Sequence, residues 1–239
     1  MERLKTGIDG LDNIIDGGVP KNSITLVSGP PGGGKSIFCF QFLYEGAKNG
    51  EKGLFLTLDK KIEGLLTQAE ELDLDFKPFI DKGNVKFRFL NINQKLVYES
   101  MTNEILSGEY DRIVLDSITP LSEMPIYLRK MESHDDINII NSEDFPSDKK
   151  LPTKRLHLRY IMNALETSKS TSIVTSELPY GSTQLSRDGV SEFLADGVIT
   201  LSLDPTMNRR KLSVFKMRNT KHTLKPQEMK IDQGGIKIV

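Results

Sequence analysis

The sequence predicts an α/β fold in which a mostly parallel sheet is covered by helices, and three observations predict it. Short apolar, β-branched runs alternate with segments whose apolar residues recur at helical spacing from Ile24 to Thr175, which is the pattern of strand-helix-strand crossovers. A glycine-rich loop, Gly29-Pro30-Pro31-Gly32-Gly33-Gly34-Lys35-Ser36, joins the first such run to the first such helix and fits G-x-x-x-x-G-K-[ST]. After Asp196 helical spacing gives way to short strands, which predicts an antiparallel extension at one edge of the sheet.

Each element follows from its residues. Ile24-Thr25-Leu26-Val27-Ser28 is short, apolar and β-branched and reads as a buried strand. Behind the glycine loop Ile37, Phe38, Phe40, Gln41, Leu43, Tyr44 and Ala47 lie at helical spacing, with Gly50 as the stop. Leu54 to Leu58 is a second strand ending at Asp59, and Ile62, Leu65, Leu66, Ala69 and Leu72 form the stripe of a helix after it. Val85 to Leu90 is a third strand, Leu96, Met101, Ile105 and Leu106 support a helix, and Arg112-Ile113-Val114-Leu115-Asp116 is a fourth strand. Ser172 to Thr175 is a further core strand. The stretch between Asp116 and Thr175 is far longer than one crossover helix, which takes about a dozen residues, so an insertion is expected at about 123–151, where the composition is that of a loop. The strands after Asp196 are Gly197 to Leu201, Lys211 to Met217, Gln227 to Ile231 and Gly235 to Val239.

The length of 239 residues suits one α/β unit with a substantial core, so residues 1–239 are expected to form a single domain. The net charge of −1 argues against a dedicated nucleic-acid binder. The single cysteine, Cys39, falls inside the apolar helix and has no internal disulfide partner, which fits a reduced cytosol and a packing role. Met1 to Lys5 lacks the apolar core of a signal peptide, and no run approaches a membrane span. A soluble cytoplasmic protein is expected.

The glycine loop carries the chemistry. Glycines let successive backbone N–H groups curl round a phosphate, and the following helix adds a partial positive charge at its start. Residues Gly29, Pro30, Pro31, Gly32, Gly33, Gly34, Lys35, Ser36 and Ile37 are therefore expected to hold the phosphates of ATP, Lys35 by reaching the β- and γ-phosphates and Ser36 by ligating Mg²⁺ through its hydroxyl. Asp116 closes a strand downstream, where phosphate-loop ATPases place the acid that steadies the metal; the competing reading is a turn cap. Asp59 ends the second strand and can orient the water that attacks the γ-phosphate, or equally cap the helix that starts near Lys61. His134 lies among carboxylates and supports no metal site.

Thr6-Gly7-Ile8-Asp9-Gly10-Leu11-Asp12, Gly17-Gly18-Val19-Pro20 and the glycine loop together resemble the start of a KaiC-like domain, a family of the RecA superfamily of ATPases. The resemblance continues in Glu192 to Ile199 and in Phe215-Lys216-Met217-Arg218-Asn219-Thr220-Lys221-His222. It implies a RecA-like fold and a homo-oligomeric ring, commonly of six subunits, with ATP at each interface. Lys216 and Arg218 match the family's K-x-R block and would touch the γ-phosphate of the neighbouring subunit, with His222 as a subsidiary candidate; as a plain sequence the same residues read as a solvated strand face. One departure matters. The family places two glutamates after the second core strand, where this chain has Asp59-Lys60. Asp is shorter by about 1.5 Å, and misplacement by about 1 Å can cost on the order of a hundredfold in rate, so slow hydrolysis is expected. Clock members of the family carry two such domains, so clock function and autophosphorylation are not implied.

The resemblance leads to an ATP-dependent switch or signalling module with a protein partner. The rival is a recombinase or helicase-like motor on DNA, for which Lys149, Lys150, Lys154, Arg155 and Arg159 form the best basic cluster. Asp135, Asp136, Glu143, Asp144 and Asp148 offset it, and Arg155, His157 and Arg159 read as the outer face of a helix whose apolar side is Leu156, Tyr160, Ile161 and Leu165. A nucleotide-dependent scaffold without turnover is the third class.

Overall fold

The computed structural model describes residues 1–92, 97–123 and 150–239, with the backbone alone described at 150–157. Eleven strands and eight helices follow in order among the described residues: β1 (Arg3–Leu4), α1 (Leu11–Ile14), β2 (Val19–Pro20), β3 (Ile24–Gly29), α2 (Lys35–Lys48), β4 (Gly53–Thr57), α3 (Ile62–Glu70), α4 (Lys77–Asp81), β5 (Val85–Phe89), α5 (Val97–Ser107), β6 (Arg112–Asp116), α6 (Thr119–Glu123), α7 (Lys150–Thr167), β7 (Thr171–Glu177), α8 (Ser191–Leu194), β8 (Gly197–Asp204), β9 (Arg209–Met217), β10 (Gln227–Asp232) and β11 (Gly235–Ile238). Nine of the strands form one sheet in the order β11-β10-β9-β8-β3-β7-β6-β4-β5. Six neighbours from β8 to β5 run parallel, and β9, β10 and β11 add antiparallel strands.

The parallel strands are buried on both faces, and their alternation divides the core in two. Val27, Phe55, Val114, Ile173 and Ile199 point to the side covered by α2, α3 and α4. Leu26, Leu54, Leu56, Ile113, Leu115, Val174 and Val198 point to the side covered by α5 and α7. Aromatic rings fill the first layer: Phe55 stacks on Phe87 at 4.9 Å, and Phe76 meets Phe40, Tyr44 and Phe87 edge-on. Cys39 is buried there, and burial pushes its thiol pKa well up, in keeping with a packing role.

Four expectations change. The first strand after Asp196, β8, still runs parallel to β3, so the antiparallel extension begins one strand later. Tyr160 is 39 % exposed; among the described side chains of α7 the buried apolar ones are Leu158, Ile161, Met162, Ala164 and Leu165, because that face is set by the elements it packs on, and Leu156 lies outside the described side chains. The residue before α3 is Lys61 and no side chain caps that helix, so Asp59 is not its cap. Leu72 lies beyond the end of α3, though it still packs on the core. Of the helix expected from Leu96, that residue lies outside the described set and α5 carries the rest. The expected insertion at 123–151 falls mostly on 124–149, outside the described residues, as do His134, Lys149 and the acidic residues weighed against the basic cluster.

Gln41 ties the helix behind the glycine loop to both ends of the chain. Its Nε2 donates to the carbonyls of Gly7, Gly234 and Ile236 at 3.2, 3.0 and 3.1 Å, and its Oε1 accepts from the Ile236 N–H at 2.7 Å. The close approach demands a glycine at 235, where a Cβ would stand 2.5 Å from Gln41 Cδ and φ is +100°. Arg3 makes a second tie, donating to the Asn219 carbonyl and to Thr220 Oγ1, each at 3.0 Å. Gln41→Leu removes a buried set of hydrogen bonds without changing the helix, and urea unfolding should show a loss of about 2–4 kcal/mol with an unchanged slope.

Candidate functional site

The parallel pairing brings several strand ends level with one another. Asp116 stands opposite Thr57 across β6 and β4, Val27 stands opposite Thr175 across β3 and β7, and Gly29 stands opposite Glu177. In an open parallel sheet, ligands bind at these carboxyl ends. The loop Pro30–Gly34 leaves the end of β3 and turns into α2, with Gly33 N–H donating to the Pro30 carbonyl at 3.1 Å. Two glycines are dictated by space and backbone. At Gly29 a Cβ would lie 2.6 Å from the Leu201 carbonyl oxygen, and Gly34 enters the helix at φ +101°. Gly34 at the start of α2 makes no side-chain cap, and an uncapped helix start of this kind is an arrangement that can bind an anion.

Asp116 is the centre of the site. Its carboxylate is almost wholly buried. Thr175 Oγ1 donates to Oδ1 at 2.6 Å, and Ser36 Oγ donates to Oδ2 at 2.8 Å. Lys60 Nζ donates to Asp116 Oδ2 at 3.1 Å and to Ser36 Oγ at 2.7 Å. A buried carboxylate is tolerated only with partners of this kind. Burial, the largest influence on Lys60, lowers its pKa, but the charge and hydrogen bond of Asp116 outweigh it and the net direction is up. Lys35 turns inward, donating to the carbonyls of Gly29 and Pro30 at 2.8 and 3.1 Å. Burial pulls its pKa down against the opposing pull of Glu177 and Asp116, and an arriving phosphate would favour its charged form.

Ser36, Lys35 and Asp116 are thus brought together as expected. Asp59 is not. It is exposed, within 3.4 Å of Thr57 Oγ1, while its neighbour Lys60 points into the site. Lys216, Arg218 and His222 lie elsewhere. Val198 pairs with both Leu26 and Lys216, so Lys216 stands level with the middle of β3 and not with the glycine loop after Gly29. Lys216 Nζ donates to the carbonyls of Glu192 and Ala195 at 3.1 and 2.5 Å, and Arg218 pairs with Asp196 at 2.9 Å. Burial, then the nearby Arg218, lowers the Lys216 pKa. His222 is near the surface, with Nδ1 3.5 Å from the Thr223 carbonyl. In this chain the partners of Lys216 and Arg218 are Glu192, Ala195 and Asp196, and none of them belongs to the glycine loop.

Sequence reasoning missed three contributors. Thr175 orients Asp116, a role visible only once β7 is paired beside β6. Arg210 Nε donates to the Gly32 carbonyl at 3.3 Å from the loop end of β9. Lys60 reads in the sequence only as a reversed charge, and nothing there says that it reaches Ser36.

A family model described as the KaiC ATPase matches residues 4–132 and 135–239. The chain belongs to the KaiC family of ATPases. A UPF0273 protein of Pyrococcus horikoshii is 31% identical over 241 residues, covering 98% of this chain and 92% of its own length. A UPF0273 protein of Thermotoga maritima is 30% identical over 245 residues, covering 100% and 96%. The circadian clock protein KaiC3 of Synechocystis is 31% identical over 226 residues, of which this chain spans 42% of the length. The solved structure of a KaiC-like protein from Pyrococcus horikoshii superposes with a TM-score of 0.79 at 29% identity, covering 100% of this chain and 99% of that one. The fold is therefore RecA-like, and at family level the chain is an ATP-binding ATPase.

Thr175→Val removes a donor to a buried carboxylate without changing shape, and denaturant unfolding should show a loss of about 1.5–3 kcal/mol. Thr175→Ser, which keeps the hydroxyl, should lie within about 1 kcal/mol of the parent.

Proposed function

We propose that residues 1–239 form one ATP-binding unit that hydrolyses ATP slowly and acts as a nucleotide-dependent oligomeric switch in the cytoplasm. The observation that carries this reading is the Ser36 hydroxyl 2.8 Å from a buried Asp116 carboxylate at the start of the helix that follows the glycine loop. The backbone of residues 29–37 would cradle the phosphates, and Lys35 would turn from its two carbonyls to the β- and γ-oxygens. Ser36 and Asp116 are hard oxygen donors of the kind Mg²⁺ takes, and they would hold it once the Lys60 ammonium withdraws from Ser36 Oγ. When bound, that ion neutralises charge developing on the phosphate oxygens.

Ring assembly, with six subunits as the expected number, rests on the position of Lys216 and Arg218. Arg218 lies beside Asp196 at the start of β3, away from its own loop, with Lys216 level with the middle of that strand, and the glycine loop of a second copy is a target they would meet. Arg218, 56 % exposed at its side chain, is available to leave Asp196 for a phosphate, and His222 stands near it in the chain. Slow turnover rests on Asp59, which is shorter than the family's glutamate and is exposed beside Thr57. A DNA-acting motor has less support, since the chain carries a net charge of −1 and, of its basic cluster, Lys150, Lys154, Arg155 and Arg159 lie along one short stretch of α7. A protein partner would read the assembly state.

ATP with Mg²⁺ at about 100 times its dissociation constant should stabilise the protein by about 2.7 kcal/mol in thermal unfolding, with a rise in solution mass. Lys35→Ala should lose the stabilisation, and a monomer with and without nucleotide would contradict the shared site. Single-turnover hydrolysis should be faster in Asp59→Glu, Lys60→Glu, by up to roughly a hundredfold. Equal rates would remove these two residues as the cause of slow turnover.

A further inference from the structure

We infer that Lys60 is a tethered cation standing in the Mg²⁺ position, so that this chain binds ATP with little dependence on free Mg²⁺. The inference rests on the nucleotide reading above and goes beyond it, because the family's residue at this place is an acid. The Lys60 ammonium is 2.7 Å from Ser36 Oγ and 3.1 Å from Asp116 Oδ2, while those two oxygens are 2.8 Å apart. The three groups close a triangle on the pair that would hold the metal. Mg²⁺ binds its oxygens at about 2.0–2.1 Å, so an ion on Ser36 Oγ and an ammonium 2.7 Å from the same atom, on the side facing Asp116, exclude each other.

The backbone directs the side chain there. β4 ends at Thr57, level with Asp116, and the Lys60 N–H donates to Thr57 Oγ1 at 3.3 Å, which folds the chain back over the strand end. From that anchor the lysine spans β4 to β6. Its side chain keeps 41 % of its exposure, so the ammonium can shift toward a phosphate oxygen without uncovering the core. Asp116, at 3 %, has its charge met from within the chain and draws less on an added ion. The remaining charges that act on the site are Lys35, Glu177 at the end of β7, and Asp59, which is exposed beside Lys60 and points away from the pair. Lys35, Lys60 and the first turn of α2 together supply positive charge on two sides of a triphosphate, which is the service the metal otherwise performs.

The experiment is a titration of a fluorescent ATP analogue into the full chain, in excess Mg²⁺ and in EDTA, for the parent, Lys60→Met, Lys60→Arg and Lys35→Ala. The parent and Lys60→Arg should change affinity by less than about threefold on removal of the metal, and Lys60→Met by about tenfold or more, the scale of one charge-assisted contact. The same metal dependence in the parent and Lys60→Met would overturn the inference while leaving nucleotide binding intact. Failure of the parent to bind in either condition, or binding unaffected by Lys35→Ala, would instead overturn the nucleotide reading and the inference with it.

Discussion

A carboxylate buried at the end of a central strand has to be neutralised, and the functional end of this molecule is arranged around that need. Asp116 is nearly sealed from water, and its two oxygens are met by Thr175 on one side and by Ser36 and Lys60 on the other. Each partner arrives on a different element: β7, the start of α2, and the turn after β4. The parallel register makes this possible, because it sets those elements level with one another. A register slip of one residue would turn Asp116 to the opposite face of the sheet.

The same carboxylate explains why the phosphate loop and the turn after β4 are one electrostatic system. Lys35 and Lys60 flank it, and they feel each other as well as the acid. On the inference drawn above, Lys60 lets the site carry part of the positive charge that an added cation would otherwise supply. Binding and hydrolysis then respond differently, since holding a triphosphate needs charge while activating water needs a base within reach.

The blocks through which the chain resembles its family are largely structural. Thr6 donates through its N–H and its hydroxyl to Asp12 Oδ1, which shapes the first turn. Gly18 packs where a Cβ would lie 2.2 Å from the Leu4 carbonyl oxygen. Asp196 accepts from the Ile24 N–H at the start of β3 and from Arg218. Together with Gln41 and Arg3 these contacts join the first and last thirds of the chain to the helix behind the phosphate loop. They hold the frame, and the frame aims the few groups that can meet a nucleotide.

What the sequence determined by itself is the local chemistry: strand-loop-helix at Gly29 to Ser36, the alternation of strands and helices, and the acid at the end of β6. These are short-range signals, since glycine tolerance, apolar periodicity and strand composition act within a few residues. Only the tertiary structure decided that β8 runs parallel to β3, that α7 buries Leu158 and not Tyr160, that Thr175 orients Asp116, and that Lys60 and not Asp59 faces the site. Those outcomes depend on which strands become neighbours and in what register. Such pairings join residues as far apart as Asp116 and Thr175, and no local pattern records them.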